Sequence, residues 1–123
     1  MARLSAHFDS REFACKHCGR LPAGKPPYSL LAALEKARTR HYPKGMVIRS
    51  GYRCPTHNAA VGGKKGSRHV AGDAADIAPV MTLKQARDCG FRGIGVDVRG
   101  RVVHVDMRPV PAVWRYDENG RTP

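Results

Sequence analysis

The sequence predicts one small α+β domain in which a few helices pack against an antiparallel sheet. Two patterns support this fold: apolar residues at helical spacing in residues 29–43, and two apolar strands around a glycine turn in residues 94–107. A chain of 123 residues can bury one hydrophobic core but not two independent ones. We therefore expect a single domain over residues 1–123, with a frayed tail at residues 117–123.

Helices are predicted in three places along the chain. They are expected at residues 29–43, 55–61 and 83–89. Ser29 can cap the first helix, whose apolar residues form one stripe. These residues are Leu30, Leu31, Leu34 and Ala37. Pro55 suits the first turn of the second helix, and Thr82 with Gln85 is the pattern of a capping box before the third.

Four short strands are predicted, and the last three carry the residues of interest. They are expected at residues 46–48, 74–78, 94–98 and 101–107. In the second strand, Asp76 is the only strongly polar residue on its face. Arg99-Gly100 predicts a two-residue hairpin turn, because glycine adopts the positive φ that such a turn needs. Alternation along the last strand puts Val102, His104 and Asp106 on one face.

The charge of the chain is strongly positive. There are 22 Lys and Arg residues against 10 Asp and Glu, which gives a formal charge of +12 and a pI near 10.2. Such a field attracts polyanions: nucleic acid, an anionic bacterial envelope or a substrate rich in carboxylates. Charge alone does not choose among these partners, and a basic surface can also serve only solubility.

The N-terminus carries no sign of export. Residues 1–10 lack the apolar run of a secretory signal, and no segment of the sequence is long enough to span a membrane. We expect a monomer made without an export signal. A role in the cell wall or periplasm then requires another route out of the cytoplasm.

Four cysteines are too few to indicate a disulfide framework in a chain with core-forming segments. The pair Cys15-x-x-Cys18 fits half of a four-ligand zinc site, a redox pair or a local disulfide that clamps a turn. His17, Cys54 or Cys89 can complete a metal site in space. We favour a structural role for Cys15 and Cys18.

Two histidines and one aspartate are candidate metal ligands. They are His69, Asp76 and His104. Two imidazoles and one carboxylate suffice to bind zinc and leave a fourth position for water. The separations of seven and 28 residues let a loop, a strand and a later hairpin meet at one point. Spacing alone is a weak signal, because a lone histidine is more often an ordinary surface or core residue.

Ordered motifs along nearly the whole chain resemble a known enzyme family. They are Phe8–Gly19 (FDSREFACKHCG), Ser50–Arg53 (SGYR), Cys54–Gly63 (CPTHNAAVGG), Ser67–Asp76 (SRHVAGDAAD) and Val103–Asp106 (VHVD). The chain is similar to the zinc D-alanyl-D-alanine carboxypeptidases, a family that includes phage L-alanyl-D-glutamate endolysins and shares a fold with hedgehog signalling domains. The resemblance implies a hedgehog/DD-peptidase-like α+β domain that acts on peptidoglycan peptides.

The resemblance also implies roles for individual residues. It implies one zinc ion with three ligands, His69, Asp76 and His104. Arg53 would bind the substrate carbonyl or the oxyanion that develops from it. Ser67 and Tyr52 would contact the peptide.

The general base is where this sequence departs from better-known members of that family. They carry Glu or Asp three residues before the last zinc histidine, and this chain has Arg101 there. Arginine cannot accept a proton at neutral pH. Asp106 is our predicted base, although it can instead orient a zinc ligand, and Asp97 across the hairpin is the alternative.

The expected function is therefore zinc-dependent hydrolysis of peptidoglycan stem peptides, as a D-Ala-D-Ala carboxypeptidase or an L-Ala-D-Glu endopeptidase. Arg101 at the usual base position motivates an alternative, a catalytically silent zinc-binding or wall-binding domain. A basic nucleic-acid-binding module is disfavoured because it leaves the later His and Asp motifs unexplained. The absence of a signal fits a phage-type lysin or a virion component.

Overall fold

The computed structural model describes residues 2–22 and 26–119, which form five helices and one five-stranded sheet. The helices are α1 (Ser10–Phe13), α2 (Tyr28–His41), α3 (Pro55–Ala60), α4 (Arg68–Ala71) and α5 (Leu83–Asp88). The strands are β1 (Val47–Ser50), β2 (Ala74–Met81), β3 (Gly93–Val96), β4 (Val102–Asp106) and β5 (Ala112–Arg115). None of the described helices is long and apolar enough to cross a membrane.

The sheet has the strand order β1-β2-β4-β3-β5. The first four strands in this order pair antiparallel, whereas β5 pairs parallel with β3. The α+β class is confirmed, and the sheet is mixed because of the fifth strand. The two central strands place Asp76 directly opposite His104, and Gly95 of β3 lies on the other side of His104. The register of the sheet thus brings together residues 28 positions apart in sequence.

The hydrophobic core lies between the sheet and helix α2. Leu30 and Leu34 of the helix are fully buried and belong to one cluster with Ala75, Ile77 and Val105 of the central strands. Burying a leucine side chain contributes roughly 1.5–3 kcal/mol. Because side chains alternate along a strand, packing of Ala75 and Ile77 into the core leaves the intervening carboxylate on the opposite face.

Strand β4 breaks the predicted alternation at its start. Val102 is fully buried in the core, whereas Val103 lines the cavity described below. The predicted common face of Val102, His104 and Asp106 is therefore wrong at its first member. The pairing of β3 with β4 is irregular here: Gly95 pairs with His104 and Val96 pairs with Val102, so Val103 is an extra residue in β4. Such a bulge changes the direction of the neighbouring side chains.

The three predicted helices correspond to α2, α3 and α5, and their boundaries agree with the sequence except at α2, whereas α1 and α4 were not predicted. The predicted capping box of α5 is present, with Thr82 and Gln85 bonding each other's backbone. Helix α2 begins at Tyr28 after Pro27, which supplies no side-chain cap, so Ser29 lies inside the first turn and the predicted cap is wrong. Pro27 has a φ of −65°, which its ring fixes, and no side chain caps the first turn of this helix.

The connection between β3 and β4 is longer than predicted. The backbone N–H of Asp97 donates to the carbonyl of Arg101 at 2.8 Å, which leaves a three-residue loop ending in Gly100. Gly100 has φ of +79°, as the last residue of such a loop requires. The predicted two-residue turn is therefore wrong, and the hairpin has a three-residue loop, which is the next most common kind.

The segment after Pro109 contains strand β5, which the sequence did not reveal. Its last described residues form a turn in which the Asn119 N–H donates to Asp117 Oδ1 at 2.9 Å. The remainder of the predicted frayed tail, residues 120–123, lies outside the described residues.

Candidate metal centre

Three predicted ligands converge over the middle of the sheet. His69 Nε2 lies 3.1 Å from Asp76 Oδ1, and His104 Nδ1 lies 3.0 Å from the same oxygen. The three ligand atoms all lie within 4.8 Å of one another. Asp76 comes from β2 and His104 from β4, as expected. His69 belongs to the short helix α4, so its predicted place in a loop is wrong.

In each histidine, the ring nitrogen that points away from Asp76 already has a hydrogen-bond partner. His69 Nδ1 lies 2.7 Å from the Gly51 carbonyl oxygen, which can only accept a hydrogen bond. His104 Nε2 lies 2.8 Å from a carboxylate oxygen of Asp106. In a neutral imidazole one nitrogen carries the proton and the other carries a lone pair. The lone pair of a neutral His69 therefore faces Asp76. His104 presents a lone pair to Asp76 when its single proton is on Nε2, toward Asp106, and three acceptors then converge at a point where a cation can bind all of them.

The pKa shifts follow from the same contacts. Burial opposes ionisation of Asp76. When the histidines carry a proton on the nitrogen that faces it, hydrogen bonds from His104 and His69 outweigh burial and hold the pKa of Asp76 well below its usual range. Burial would also lower the pKa of His104, yet Asp106 and Asp76 on its two sides raise it. A proton on His104 thus competes with a metal ion for the same lone pair.

Local structure holds His69 in place. Ser67 caps α4, since its Oγ accepts the His69 backbone N–H at 3.1 Å. Gly72 ends the helix with φ of +89°, and a Cβ there would lie 2.5 Å from the ring of Pro22. Ser67 also lines the cavity beside the ligands. The motif Ser67–Gly72 is therefore explained in part by the geometry that orients the histidine.

Arg53 reaches the site from the loop after β1. Its Nη2 donates to Asp76 Oδ2 at 3.2 Å, on the side of the carboxylate away from the histidines. Its Nε donates to Ser50 Oγ at 3.3 Å and its Nη1 to Asn58 Oδ1 at 3.2 Å. The side chain is 16% exposed, so the guanidinium is fixed at the edge of the cavity.

Asn58 was not among the predicted site residues. It is buried on α3 and also donates through Nδ2 to the carbonyl of Lys64 at 2.9 Å, which ties the helix to the basic loop. A Cβ on Gly63 would lie 2.0 Å from Asn58 Oδ1. The Gly62-Gly63 pair was the available signal, because the second glycine lets the backbone approach the asparagine.

A cavity of about 1490 Å³ crosses the sheet over the candidate ligands. Its walls reach from Arg49 on β1 to Trp114 on β5, with His104 near the middle. The cationic lining residues are Arg49, Arg53, Lys64, Lys65, Arg68 and Arg108, and the acidic ones are Asp76, Asp97, Asp117 and Glu118. Tyr52 is not part of this lining; its backbone N–H donates to the Phe13 carbonyl at 2.9 Å.

Aromatic side chains form the β5 end of the cavity. The Trp114 ring lies 5.2 Å from the His104 ring, and the guanidinium of Arg108 lies 4.4 Å above the Trp114 ring. Tyr116 packs edge-on against Trp114 at 6.1 Å. A Cβ on Gly95 would lie 2.6 Å from the Tyr116 ring, so glycine there makes room for both aromatic residues.

Comparison with known families agrees with this geometry. Residues 6–106 match the model of the family described as Peptidase M15, and that segment contains all three candidate ligands and Arg53. The chain belongs to the M15 peptidase family. Its members are zinc peptidases, so the match supports a hydrolase of the metallopeptidase class. A search of curated protein sequences gives no significant match.

In this M15 peptidase, Asp106 is fully buried behind His104. Its Oδ2 contacts His104 Nε2 and also accepts from Arg108 Nη2 at 2.7 Å. Its Oδ1 accepts from the backbone and Nε of Arg108 at 3.1 and 2.9 Å. Burial opposes its ionisation, but Arg108 and His104 hold the pKa of Asp106 well below its usual range. Gly93 makes room, because a Cβ there would lie 1.9 Å from Asp106 Oδ1.

Asp97, the alternative base, lies at the opposite end of β4. Its carboxylate accepts from the backbone of Arg99 and Arg101 and pairs with Arg101 Nε at 3.3 Å. These backbone hydrogen bonds, with that from Arg101 the strongest, lower the pKa of Asp97. Asp97 lines the cavity, so its oxygens are open to solvent there.

The predicted pair Cys15 and Cys18 comes together with Cys54, and all three are free thiols within 4.8 Å of one another. Burial opposes ionisation of Cys15, but hydrogen bonds from the backbone N–H groups of Cys54, Cys18 and His17 outweigh it and lower the pKa of Cys15 to about 6. Cys89 is buried elsewhere, beside α5.

Proposed function

We propose that this M15 peptidase binds one zinc ion through His69, Asp76 and His104 and, as a monomer, hydrolyses peptide bonds in the stem peptides of bacterial peptidoglycan. The observation that carries the proposal is the meeting of three lone pairs at the centre of a long basic cavity. Zinc suits two imidazoles and one carboxylate, and a site with three protein ligands leaves a place for water.

Zinc in this position supplies a Lewis acid and a water molecule whose pKa is about 7. The chain itself supplies the donor for the developing oxyanion. Arg53 has five N–H donors, of which three are bonded to Ser50, Asn58 and Asp76. The other two remain for a substrate carbonyl, and the fixed guanidinium needs little reorganisation to bind it.

Asp106 acts, in this proposal, by orienting His104. A general base must come within hydrogen-bonding distance of the proton that it accepts. Both oxygens of Asp106 are bonded to His104 and Arg108, and the residue is fully buried. These contacts favour the orienting role over the catalytic role that the sequence predicts. Asp97 is the other candidate base: its oxygens are also bonded, to Arg99 and Arg101, but its side chain is 25% exposed and lines the cavity.

The substrate is, we propose, an extended and acidic peptide. The cavity of about 1490 Å³ exceeds the roughly 300–1,000 Å³ of common small-molecule sites, so it can hold several residues. Its cationic lining suits the carboxylates of stem peptides. Because the cavity extends to both sides of the ligands, we favour cleavage within the stem, of the L-Ala-D-Glu type, over removal of a terminal D-Ala. Ser67 contacts the peptide backbone beside the ligands.

Digestion of purified peptidoglycan tests the proposal. Zinc-loaded protein should release fragments with new amino termini, and mass analysis of the muropeptides should identify the bond that is cut. His104→Ala should release none, whereas His41→Ala, at the end of α2, should behave like the wild type. Free D-Ala as the product would assign carboxypeptidase action. Binding of wall material by the zinc-loaded wild type without any new termini would contradict the proposal and favour the silent wall-binding alternative.

We further propose that the protein reaches the cell wall after release from the cytoplasm, as a phage-type lysin or a virion component. The basic charge of +12 supports this, because bacterial envelopes are anionic.

A further inference from the structure

Outside the cavity, three thiols meet where the N-terminal segment contacts the loop after β1. The Sγ atoms of Cys15, Cys18 and Cys54 lie within 4.8 Å of one another, and none of them is in a disulfide. A disulfide between any two would leave the third sulfur beside it without a partner. Three convergent thiols instead suit a soft or borderline metal ion, which binds thiolate sulfur strongly.

The first two cysteines lie on a tight turn whose backbone surrounds Cys15. The Gly19 N–H donates to the Cys15 carbonyl at 2.7 Å, and the Cys15 N–H donates to the Arg20 carbonyl at 2.8 Å. Gly19 adopts φ of +73°, which glycine allows without strain. The spacing Cys-x-x-Cys on such a turn is the common spacing of a pair of zinc ligands.

The third cysteine lies on a second structural unit with related spacing. Cys54 is the N-cap of α3, and its Sγ accepts the backbone N–H of His57 at 3.4 Å. The Cys54 backbone N–H in turn donates to Cys15 Sγ at 3.4 Å, so the two units are bonded to each other at the sulfurs. Cys54-x-x-His57 thus repeats the ligand spacing of the first turn.

Two imidazoles stand beside the thiols. His17 Nδ1 lies 3.5 Å from Cys54 Sγ. The rings of His17 and His57 stack with centroids 6.2 Å apart and planes 4° from parallel. A tetrahedral site needs one donor beyond the three sulfurs, and the His17 imidazole is the ring that lies against one of them.

We infer that Cys15, Cys18 and Cys54, with the imidazole of His17, bind a second metal ion. It is zinc, because three thiolates and one imidazole that include a Cys-x-x-Cys pair are a common ligand set of structural zinc. Four protein ligands close such a site to water, so it serves structure and not hydrolysis. The inference does not depend on the peptidase proposal.

The second site lies next to the loop that positions residues of the first site. Cys54 directly follows Arg53, and the preceding Gly51 supplies the carbonyl that bonds His69. A Cβ on Gly51 would lie 2.7 Å from Phe13 Cα, so this loop and the N-terminal segment are in close contact. A metal ion that joins Cys15 and Cys54 therefore fixes the backbone that positions Arg53 and His69.

Metal counting on freshly purified, fully reduced protein tests the inference. Wild type should hold two zinc ions per chain, whereas Cys18→Ser and Cys54→Ser should hold one. Cys89→Ser is the matched control, because it removes a buried thiol outside the cluster, and it should keep two. His104→Ala should also hold one, and its remaining ion should be the thiolate-bound ion.

Cobalt substitution distinguishes the two ions without any assay of activity and does not depend on the stability of a cysteine variant. Cobalt-loaded wild type and cobalt-loaded His104→Ala should both show a sulfur-to-metal charge-transfer band in the near ultraviolet, which three thiolates produce. Cys18→Ser should lose most of that band. A reduced wild type that binds a single ion, lost in His104→Ala, with no charge-transfer band, would overturn the inference. A Cys15–Cys18 disulfide in the freshly isolated protein would overturn it too.

Discussion

The two donor clusters of this chain differ in what surrounds them. The first, on the sheet, consists of His69, Asp76 and His104 and opens on a large cavity. The second consists of Cys15, Cys18 and Cys54. The Cys15 sulfur accepts the backbone N–H of Cys54, and the Cys54 sulfur accepts that of His57. A catalytic metal site keeps one coordination position open for water or substrate, whereas a structural metal site has all its positions filled by protein ligands. The difference therefore separates a catalytic role from a structural one.

The largest expected effect comes from removing the aspartate of the sheet cluster. Asp76→Ala should abolish peptide hydrolysis and lower zinc content by one ion, because two imidazoles alone bind the ion weakly. Cys18→Ser should also lose one ion but keep measurable hydrolysis. Parallel assays of zinc content and peptide release check this contrast. Equal loss of hydrolysis in both variants, with both well folded by circular dichroism, would erase the distinction between the two sites.

Arg53→Lys should have the next largest effect. Lysine lacks the planar fork that bonds Ser50, Asn58 and Asp76, so we expect kcat to fall by roughly 10²–10³-fold, as for loss of an oxyanion donor. Zinc content should stay unchanged. Arg49→Lys, another cation of the cavity wall, is the control and should have little effect on kcat. Because both changes keep the positive charge, an unchanged kcat in Arg53→Lys would indicate that charge alone suffices and that a positioned donor is not needed.

Asp106→Asn distinguishes an orienting residue from a base. If Asp106 orients His104, the variant should lose about 10–100-fold in zinc affinity, as partners of metal-bound histidines do. The matched change is Asp97→Asn, which should leave zinc affinity unchanged and lower kcat if Asp97 is the base. Zinc titration and initial rates on the two variants give the comparison. If Asp106→Asn keeps its zinc affinity but shows a large fall in kcat, Asp106 is the general base.

The smallest expected effect is on the free energy of unfolding. It comes from Glu35, which binds the N-terminal segment, the carrier of two of the cysteines, to α2. Glu35 on α2 accepts from Ser5 Oγ and the His7 backbone at 2.6 Å. Burial opposes its ionisation, but these bonds from Ser5 and His7 outweigh it and lower the pKa of Glu35 from the ordinary 4.5. The ionised form therefore favours folding. Its contribution is complete above pH 4.5 and is lost as the pH falls through the lowered folded-state pKa.

Glu35→Gln should accordingly reduce the free energy of unfolding by about 1 kcal/mol at neutral pH and have less effect in acid. Urea unfolding at several pH values measures this. Glu118→Gln, at the other end of the chain, provides a control for removal of one negative charge. A destabilisation that persists unchanged at low pH would show that the carboxylate charge does not bind the segment.

Strand period predicted which faces of their strands carry Asp76 and His104, whereas the set His69, Asp76 and His104 was predicted from the resemblance of ordered motifs. Asp76 stands out as a polar residue on the face opposite the core, and His104 lies opposite it in the register. Strict alternation was wrong at Val102, because Val103 is an extra residue in the pairing of β4 with β3 and the pattern of one strand does not reveal such a bulge. Strand β5 was missed because prolines precede it and its pairing partner is remote in sequence.

The partners of the cysteine pair and the contacts around the sheet cluster were harder to predict, because both depend on contacts between segments that are distant in sequence. Cys54 was one of three possible partners for the Cys15-x-x-Cys18 pair, and only the fold shows that its sulfur is the one that meets Cys15 and Cys18. Burial of Asp106 depends on Arg108 and on the space that Gly93 leaves. Gly93 looked like an ordinary residue before a strand. Only the fold indicates that its missing side chain is what admits the ion pair.

The most direct test of the central claim is the release of new amino termini from purified peptidoglycan by metal-free protein to which zinc is added back in measured amounts. We predict no release without zinc, recovery as the sheet cluster fills, and no recovery in His104→Ala at any zinc concentration. Full release by His104→Ala, or none by zinc-loaded wild type, would contradict the account.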